Sequence, residues 1–402
     1  MKTEILQHYQ ATPEGQEAEA ILRTCVHCGF CTATCPTYQE LSDERDGPRG
    51  RIYLIKQLLE TDEVSERTRT HLDRCLTCRS CETTCPSGVQ YGRLVDIGRG
   101  IIEQKLERPA GERLMRWGLR KILPYPARFG SLLKLGQAFQ PLLPGALKQK
   151  MPPKRTASPW PQQRHERVML ALAGCAQSSA APNTNAATAR VLDRLGITLV
   201  EAPDAGCCGA VSYHLSAHDE GLDFMRRNID AWWPAVEAGC EAIVMTASGC
   251  GAMVQEYGHL LRNDPAYAEK AARISALTKD IGEVLSAEDL GSLKVQVAGK
   301  VAVHCPCTLQ HAMKQGGVVE KVLKQVGFEL AQTRDKHLCC GSAGTYSILQ
   351  PELSQRLLDN KLKALTCDEP ERIVTSNIGC QLHLETKAGV PVQHWIELLD
   401  MD

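Results

Sequence analysis

Nineteen cysteines stand in this 402-residue sequence, and their spacing is the feature that could do chemistry. Eight fall into two runs. Cys25-Val-His-Cys28-Gly-Phe-Cys31-Thr-Ala-Thr-Cys35-Pro36 has the pattern C-x2-C-x2-C-x3-C-P, and Cys75-Leu-Thr-Cys78-Arg-Ser-Cys81-Glu-Thr-Thr-Cys85-Pro86 repeats it fifty residues later. Three thiolates at this spacing let a tight loop wrap one corner of an iron–sulfur cube. The fourth leaves in another direction, turned by a proline that fixes φ and lacks an N–H. This is the bacterial ferredoxin pattern, in which the fourth cysteine serves the other cluster. The expected ligand sets for two [4Fe–4S] clusters are therefore Cys25, Cys28, Cys31 and Cys85 for one, and Cys75, Cys78, Cys81 and Cys35 for the other. A lone C-x-x-C would favour zinc. Two complete runs, each closed by proline, favour iron–sulfur.

The other eleven cysteines lie beyond residue 170, in a half of the chain that repeats itself. Arg167-Val-Met-Leu-Ala-Leu-Ala-Gly-Cys175 overlays Lys300-Val-Ala-Val-His-Cys-Pro-Cys307. Cys175 precedes Cys207 by 32 residues, and Cys307 precedes Cys339 by 32. Each copy then reads Cys-Cys-Gly, at Cys207-Cys208-Gly209 and Cys339-Cys340-Gly341. Each closes on Glu-x-Ile-Val-x-x-x-x-Gly-Cys, ending at Cys250 and Cys380. Adjacent cysteines fit one tetrahedral ion poorly, whereas a multi-iron cluster can take both on different irons. A third metal site is thus open at Cys305, Cys307, Cys339, Cys340 and Cys380, with Cys175, Cys207, Cys208 and Cys250 ranked behind it. Cys240 and Cys367 have no counterparts and read as structural.

The elements that must position these residues can be read from periodicity. Gly50–Glu60 and Thr68–Arg74 carry helical spacing, with a turn at Asp46-Gly-Pro48. Tyr53 and Arg49 fall where they could pack near a cluster. In the repeated half, a helix capped by Asn183 or Thr184 and ending at Gly196, and another from Val318 ending at Gly327, separate the apolar runs. Strand, helix, strand, Cys-Cys-Gly, helix, strand, Gly-Cys is a Rossmann-like α/β unit present twice, with cysteines at strand ends. The expected fold is α+β and multidomain: a helical ferredoxin-type domain with two [4Fe–4S] clusters over 1–105, a basic proline-rich linker over 106–166, and cysteine-rich modules over 167–293 and 294–402.

That linker region is unusual in charge. Residues 106–167 hold 13 Lys/Arg against 3 Asp/Glu, in a chain whose net charge is −1. Glu112–Leu123 reads as an amphipathic helix, and Pro124, Pro126, Pro141, Pro144, Pro152, Pro153, Pro159 and Pro161 cut the remainder of the linker into short pieces. Trp117, Phe129, Phe139 and Trp160 sit among the basic residues. Basic charge interleaved with aromatics suits an anionic membrane surface or an acidic partner subunit; no nucleic-acid reading motif accompanies it. The N-terminal fifteen residues lack a signal-peptide pattern and no apolar run reaches 18 residues, so a cytoplasmic chain without a membrane span is expected.

Several stretches resemble the iron–sulfur subunits of respiratory 2-hydroxyacid and glycerol-3-phosphate dehydrogenases and the cysteine-rich modules of heterodisulfide reductases. Cys25-Val-His-Cys-Gly-Phe-Cys, Asp46-Gly-Pro-Arg-Gly-Arg-Ile-Tyr-Leu-Ile-Lys56, Asn183-Thr-Asn-Ala-Ala-Thr-Ala-Arg-Val-Leu-Asp-Arg-Leu-Gly196, His304-Cys-Pro-Cys-Thr-Leu-Gln-His311 and His337-Leu-Cys-Cys-Gly-Ser-Ala-Gly-Thr-Tyr346 resemble the glycolate oxidase iron–sulfur subunits in particular. That resemblance implies an electron-transfer subunit of a complex oxidising glycolate to glyoxylate, and D-lactate as a related substrate. It implies FAD on partner subunits, electrons passed toward the quinone pool, and peripheral association with the cytoplasmic face of the inner membrane. Heterodisulfide-type modules close each repeat with C-x-x-C, whereas here one cysteine closes it. The alternatives are a catalytic Cys-Cys-Gly disulfide reductase and a subunit of a lactate or glycerol-3-phosphate dehydrogenase. No G-x-G-x-x-G opens a helix after a strand, so hydride chemistry, which needs a flavin or nicotinamide, is expected on a partner. No catalytic residue is assigned: His304, His311 and His394 could carry protons, but read as structural, and the chain alone is expected to be inactive.

Overall fold

The computed structural model describes residues 1–142, 151–293, 295–296 and 299–400. Pro144 of the linker and residue 294 at an expected domain boundary lie outside the described residues. By contacts the chain forms two units: Met1–Arg116 with His337–Lys361, and Trp117–Lys336 with Leu362–Asp402.

The first unit is helical. Thr12 accepts from Gly15 N at 3.1 Å ahead of the helix Pro13–Thr24, and Pro48 opens the helix Pro48–Thr61 at a position where its missing N–H costs nothing. Ser65 accepts from Thr68 N to start Glu66–Asp73. With Tyr91–Lys105 these helices bury Leu22, Ile55, Leu58, Leu59, Leu72, Leu94 and Ile102. Gly98 lets Tyr91–Lys105 lie close on Pro48–Thr61, since a Cβ there would stand 2.8 Å from Ile55.

The second unit carries two parallel sheets. Strands β1 (Arg167–Ala171), β2 (Ile197–Glu201), β3 (Ile243–Met245) and β4 (Thr278–Asp280) run in the order β2-β1-β3-β4. Strands β5 (Val301–His304), β6 (Arg372–Thr375) and β7 (Val392–His394) run β5-β6-β7, and a parallel bridge from Val301 to Leu330 occupies the place that β2 holds in the first sheet. The internal repeat of the sequence is thus a repeat of topology. Side chains from both sheets, including Val244, Leu199, Val303, Val374 and Trp395, share one core. The helix Asn183–Asp193 forms and Gly196 takes φ +74°, but neither Asn183 nor Thr184 caps it. Pro182 holds the N-cap position. Asn183 Oδ1 instead accepts from Ser158 N, and Thr184 Oγ1 donates to Glu397. Longer-range partners displace the local cap.

The sheets end on two buried titratable groups. His394 Nε2 donates to Thr246 O at 2.7 Å while Nδ1 accepts from Ile396 N at 3.2 Å, so both ring nitrogens are used with the imidazole neutral. Burial pushes its pKa down to about 4, although the Thr246 carbonyl opposes the shift. The unfolded chain takes up this proton near the ordinary value of about 6.5. Stability from His394 is therefore full above that pH and lost as pH falls toward 4. Asp280, at the corresponding end of β4, is pushed up to about 7 by burial and acts with the opposite sign. The expected observable is consequently a difference: between pH 6.5 and 4, the stability of wild type relative to His394→Gln falls by a few kcal/mol in chemical denaturation, at about 1.4 kcal/mol per pKa unit. A parallel pair of pH curves would refute it.

Candidate iron–sulfur sites

The two four-cysteine runs share one backbone. In the first, His27 and Gly29 have φ +57° and +86°; in the second, Thr77 and Arg79, at the same places in the run, have φ +50° and +58°. Left-handed residues two and four positions after the leading cysteine turn the loop inward. For three non-glycine residues this costs roughly 1–2 kcal/mol each. The loops meet at equivalent positions, Thr34 and Thr84 approaching at Oγ1···Oγ1 2.9 Å. Arg99 braces the second loop, donating to Leu72 O at 2.7 Å, Cys75 O at 2.6 Å and Thr77 Oγ1 at 2.9 Å.

This arrangement makes two cavities. Cys25, Cys28, Cys31 and Cys85 line one, together with Arg49; Cys35, Cys75, Cys78 and Cys81 line the other, together with Arg51. Cys81 and Tyr91 stand in both walls. Each cavity is lined by cysteines drawn from both runs, five in the first with Cys81 counted and four in the second, a donor set that fits a cube of iron and sulfide. As free thiols, Cys31 and Cys81 resist ionisation: burial, with the neighbouring Cys25, Cys35 and Cys85, pushes Cys31 up to about 11, and burial with Cys78, Cys75 and Cys35 around it raises Cys81 well above the thiol range. Crowded, water-poor thiols of this kind are stabilised once deprotonated onto metal. Tyr53 is about half exposed and meets the edge of His27 at 6.5 Å between ring centroids.

The first repeat gathers all four of its shared cysteines. Cys175 follows β1, Cys207-Cys208 follow β2 and Cys250 follows β3, so each stands beyond the carboxyl end of one of three adjacent parallel strands. Cys175 neighbours Cys207, Cys207 neighbours Cys208, and Cys208 neighbours Cys250, each thiol near enough to perturb the next. The neighbouring Cys207 thiol, then burial, raises Cys175 well above the ordinary thiol value. A buried network holds the backbone: Asn228 Nδ2 donates to Cys207 O at 2.9 Å, Tyr257 OH to Cys208 O at 2.8 Å, and Gly206 N to Asn228 Oδ1 at 2.8 Å. Cys175 and Cys250 open onto a small cavity beside Thr246.

In the second repeat, Cys305 and Cys307 follow β5 and Cys380 lies in the helix Ile378–Glu385 after β6, all in the second unit. Cys339 and Cys340 are buried in the segment His337–Lys361, which groups with the ferredoxin-type helices. Tyr346 OH donates to the carbonyl of Arg74, next to Cys75, at 3.0 Å. Arg356 Nη2 donates to Glu40 O at 2.8 Å. No spacing in the sequence signals this attachment. The two glycines after the cysteine pairs are alike: both have φ +88°, and a Cβ would lie 2.7 Å from Gly221 O at Gly209 and 2.5 Å from Ser354 O at Gly341. Cys240 is buried in the core, and exposed Cys367 bonds Gln332 O at 3.3 Å. Of the three histidines, His394 is held by Thr246 and Ile396, His304 Nδ1 pairs with Thr375 Oγ1 at 2.9 Å, and His311 is buried.

Comparison with known proteins agrees with this layout. Residues 21–89 match the 4Fe-4S dicluster domain, and residues 169–255 and 301–385 each match the cysteine-rich domain named CCG. The glycolate oxidase iron-sulfur subunit of Escherichia coli (strain K12) is 57% identical over 401 residues, covering 100% of this chain and 98% of that one. A probable glycolate oxidase iron-sulfur subunit of Bacillus subtilis (strain 168) is 33% identical over 91% of this chain and 89% of its own. A hypothetical protein from Helicobacter pylori, solved by crystallography, shares the fold at a TM-score of 0.57 and 11% identity, over 98% of this chain and 73% of that one. A ferredoxin-type dicluster domain followed by two Rossmann-like cysteine-rich repeats, with full-length identity of this order, places the chain in the family of glycolate oxidase iron–sulfur subunits, a component of an oxidoreductase complex.

Proposed function

We propose that this chain carries electrons, one at a time, from FAD-binding partner subunits that oxidise glycolate to glyoxylate, and D-lactate as a related substrate. The observation that carries the reading is the crossed pair of cysteine-lined cavities, which share Cys81 and Tyr91. When bound, two [4Fe–4S] clusters supply one-electron storage at adjacent positions. Cys25, Cys28, Cys31 and Cys85 hold one, and Cys75, Cys78, Cys81 and Cys35 hold the other. The left-handed loops orient the sulfurs, Arg99 fixes the second loop, and the packed helices keep water from the inner thiols. Exposed Cys28, beside exposed Val26 and Phe30, offers the shortest entry from a docked partner.

The four linked thiols of the first repeat favour a further iron–sulfur group there, so we rank Cys175, Cys207, Cys208 and Cys250 level with the second-repeat set. Peripheral docking on the cytoplasmic face of the inner membrane, with delivery to quinone, draws support from the helices Ala110–Ile122 and Pro126–Ala138. These helices and the residue after them expose Leu114, Met115, Trp117, Leu132, Leu135 and Phe139 in a basic region. No helix among the described residues is long and apolar enough to cross a membrane.

Anaerobic iron and acid-labile sulfide analysis, with EPR of the protein co-expressed with its flavin partners, tests the reading. About eight irons per chain, and two magnetically coupled clusters reduced by glycolate, are expected from the crossed cavities. About twelve, dropping to about eight in Cys208→Ser, would place the further group in the first repeat. Zinc without sulfide, or clusters that glycolate never reduces, would refute the electron-transfer function.

A further inference from the structure

The ferredoxin-type unit buries a cation beside its ligand sets. Arg51, on the helix Pro48–Thr61, is 1% exposed. Its Nε donates to His71 O at 2.7 Å and its Nη1 to Thr37 Oγ1 at 3.1 Å. Its Nη2 is buried without a hydrogen-bond acceptor among the described residues. Asp46 Oδ1 lies 3.5 Å from Nη2, an ion-pair distance without hydrogen-bond geometry. That carboxylate is already shared by His71 Nδ1 at 3.0 Å and Arg74 Nη1 at 2.9 Å. One carboxylate therefore faces two guanidiniums, and positive charge is left over.

The surplus borders one cavity and not the other. Arg51 lines the cavity of Cys35, Cys75, Cys78 and Cys81. Its counterpart at the other cavity, Arg49, directs its Nε to Glu44 Oε1 at 2.6 Å and is 37% exposed, where solvent screens it. A buried N–H without an acceptor is costly, and in native structures such a group calls for an explanation. Cluster potentials respond to hydrogen bonds to sulfur and to nearby charge, so an unpartnered N–H on a residue that lines a cavity of four cysteines has a definite use.

We propose that Arg51 is a tuning residue for the cluster held by Cys35, Cys75, Cys78 and Cys81. Its Nη2 donates a hydrogen bond to a sulfur of that site, and its buried charge holds the site's potential above the value it would have beside a neutral side chain. The inference rests on the ligand assignment above. In the step it serves, one electron leaves the Cys25 site, which is oxidised, and enters the Cys75 site, which is reduced. No bond is made or broken, and Arg51 keeps its protons throughout.

The test uses the full chain, loaded anaerobically, with iron and sulfide measured first. In wild-type protein grown on [15N]arginine, pulsed EPR of the reduced clusters should show an arginine nitrogen coupled to one of them. Redox titration should find one midpoint moved to lower potential in Arg51→Met, moved less in Arg51→Lys, with the other midpoint unchanged. Clusters present but without arginine coupling, or with both midpoints unmoved in loaded variants, overturn the role of Arg51 and leave the ligand assignment standing. Absence of clusters from the wild type overturns both. If neither variant loads, Arg79→Lys labelled in the same way decides, because Arg79 is the other arginine lining this cavity: coupling that persists supports Arg51, and coupling that disappears overturns it.

Discussion

Replacing Cys35 by serine is expected to empty the site built by Cys75, Cys78 and Cys81, while the site of Cys25, Cys28 and Cys31 stays loaded. Iron should fall by about four per chain, and the EPR coupling between two reduced clusters should vanish. Cys85→Ser should do the reverse. The reason is geometric. After Cys31 and after Cys81 the chain makes a short helical turn, and the equivalent residues Thr34 and Thr84 meet at 2.9 Å. Each run's last cysteine is thereby delivered to its partner's cavity. The two variants together are informative because a run that fed only its own cluster would give the opposite pairing of loss. That opposite result would overturn the crossed assignment.

Gly209→Ala is the second large effect. The φ of +88° puts an alanine in a region where L-residues lose roughly 1–2 kcal/mol. The added Cβ would also sit 2.7 Å from Gly221 O, in the helix His218–Glu237, and relieving such an overlap costs about 1–3 kcal/mol. A loss of roughly 2–5 kcal/mol is a large share of the stability of a typical domain. It should appear as a marked fall in melting temperature of the unloaded chain, read apart from any metal content. Gly341→Ala should behave alike, because Ser354 O stands in the same relation to it at 2.5 Å. Substitutions without thermal cost at both positions would show that the backbone there can move aside.

These two cases also mark how far a linear reading reaches. The helix over Gly50–Glu60 and the stop at Gly196 were legible because apolar spacing and a left-handed glycine act within a few residues. The cap at Asn183 or Thr184 was not realised. Local preference is worth only about 1 kcal/mol, and Ser158 and Glu397 offered these side chains better partners from afar. The Cys-Cys-Gly repeats were visible as text. The reason for their glycine, a helix carbonyl pressed against its Cα, appears only once the following helix is folded back.

The sequence by itself determined the family, the two cluster-type runs and the doubled α/β repeat, because each is written in spacings that chain geometry enforces over short distances. Only the tertiary structure decided which sulfurs stand together. It drew Cys175, Cys207, Cys208 and Cys250 into one linked group at the ends of three neighbouring strands, and attached the second Cys-Cys-Gly segment to the ferredoxin-type helices through Tyr346 and Arg356. It also buried Arg51, which the sequence shows as one of 46 basic residues, with one guanidinium nitrogen left without an acceptor in the wall of a cysteine-lined cavity. Contacts between residues far apart in the chain depend on how whole elements pack, and a residue's own neighbours in sequence carry no record of that packing.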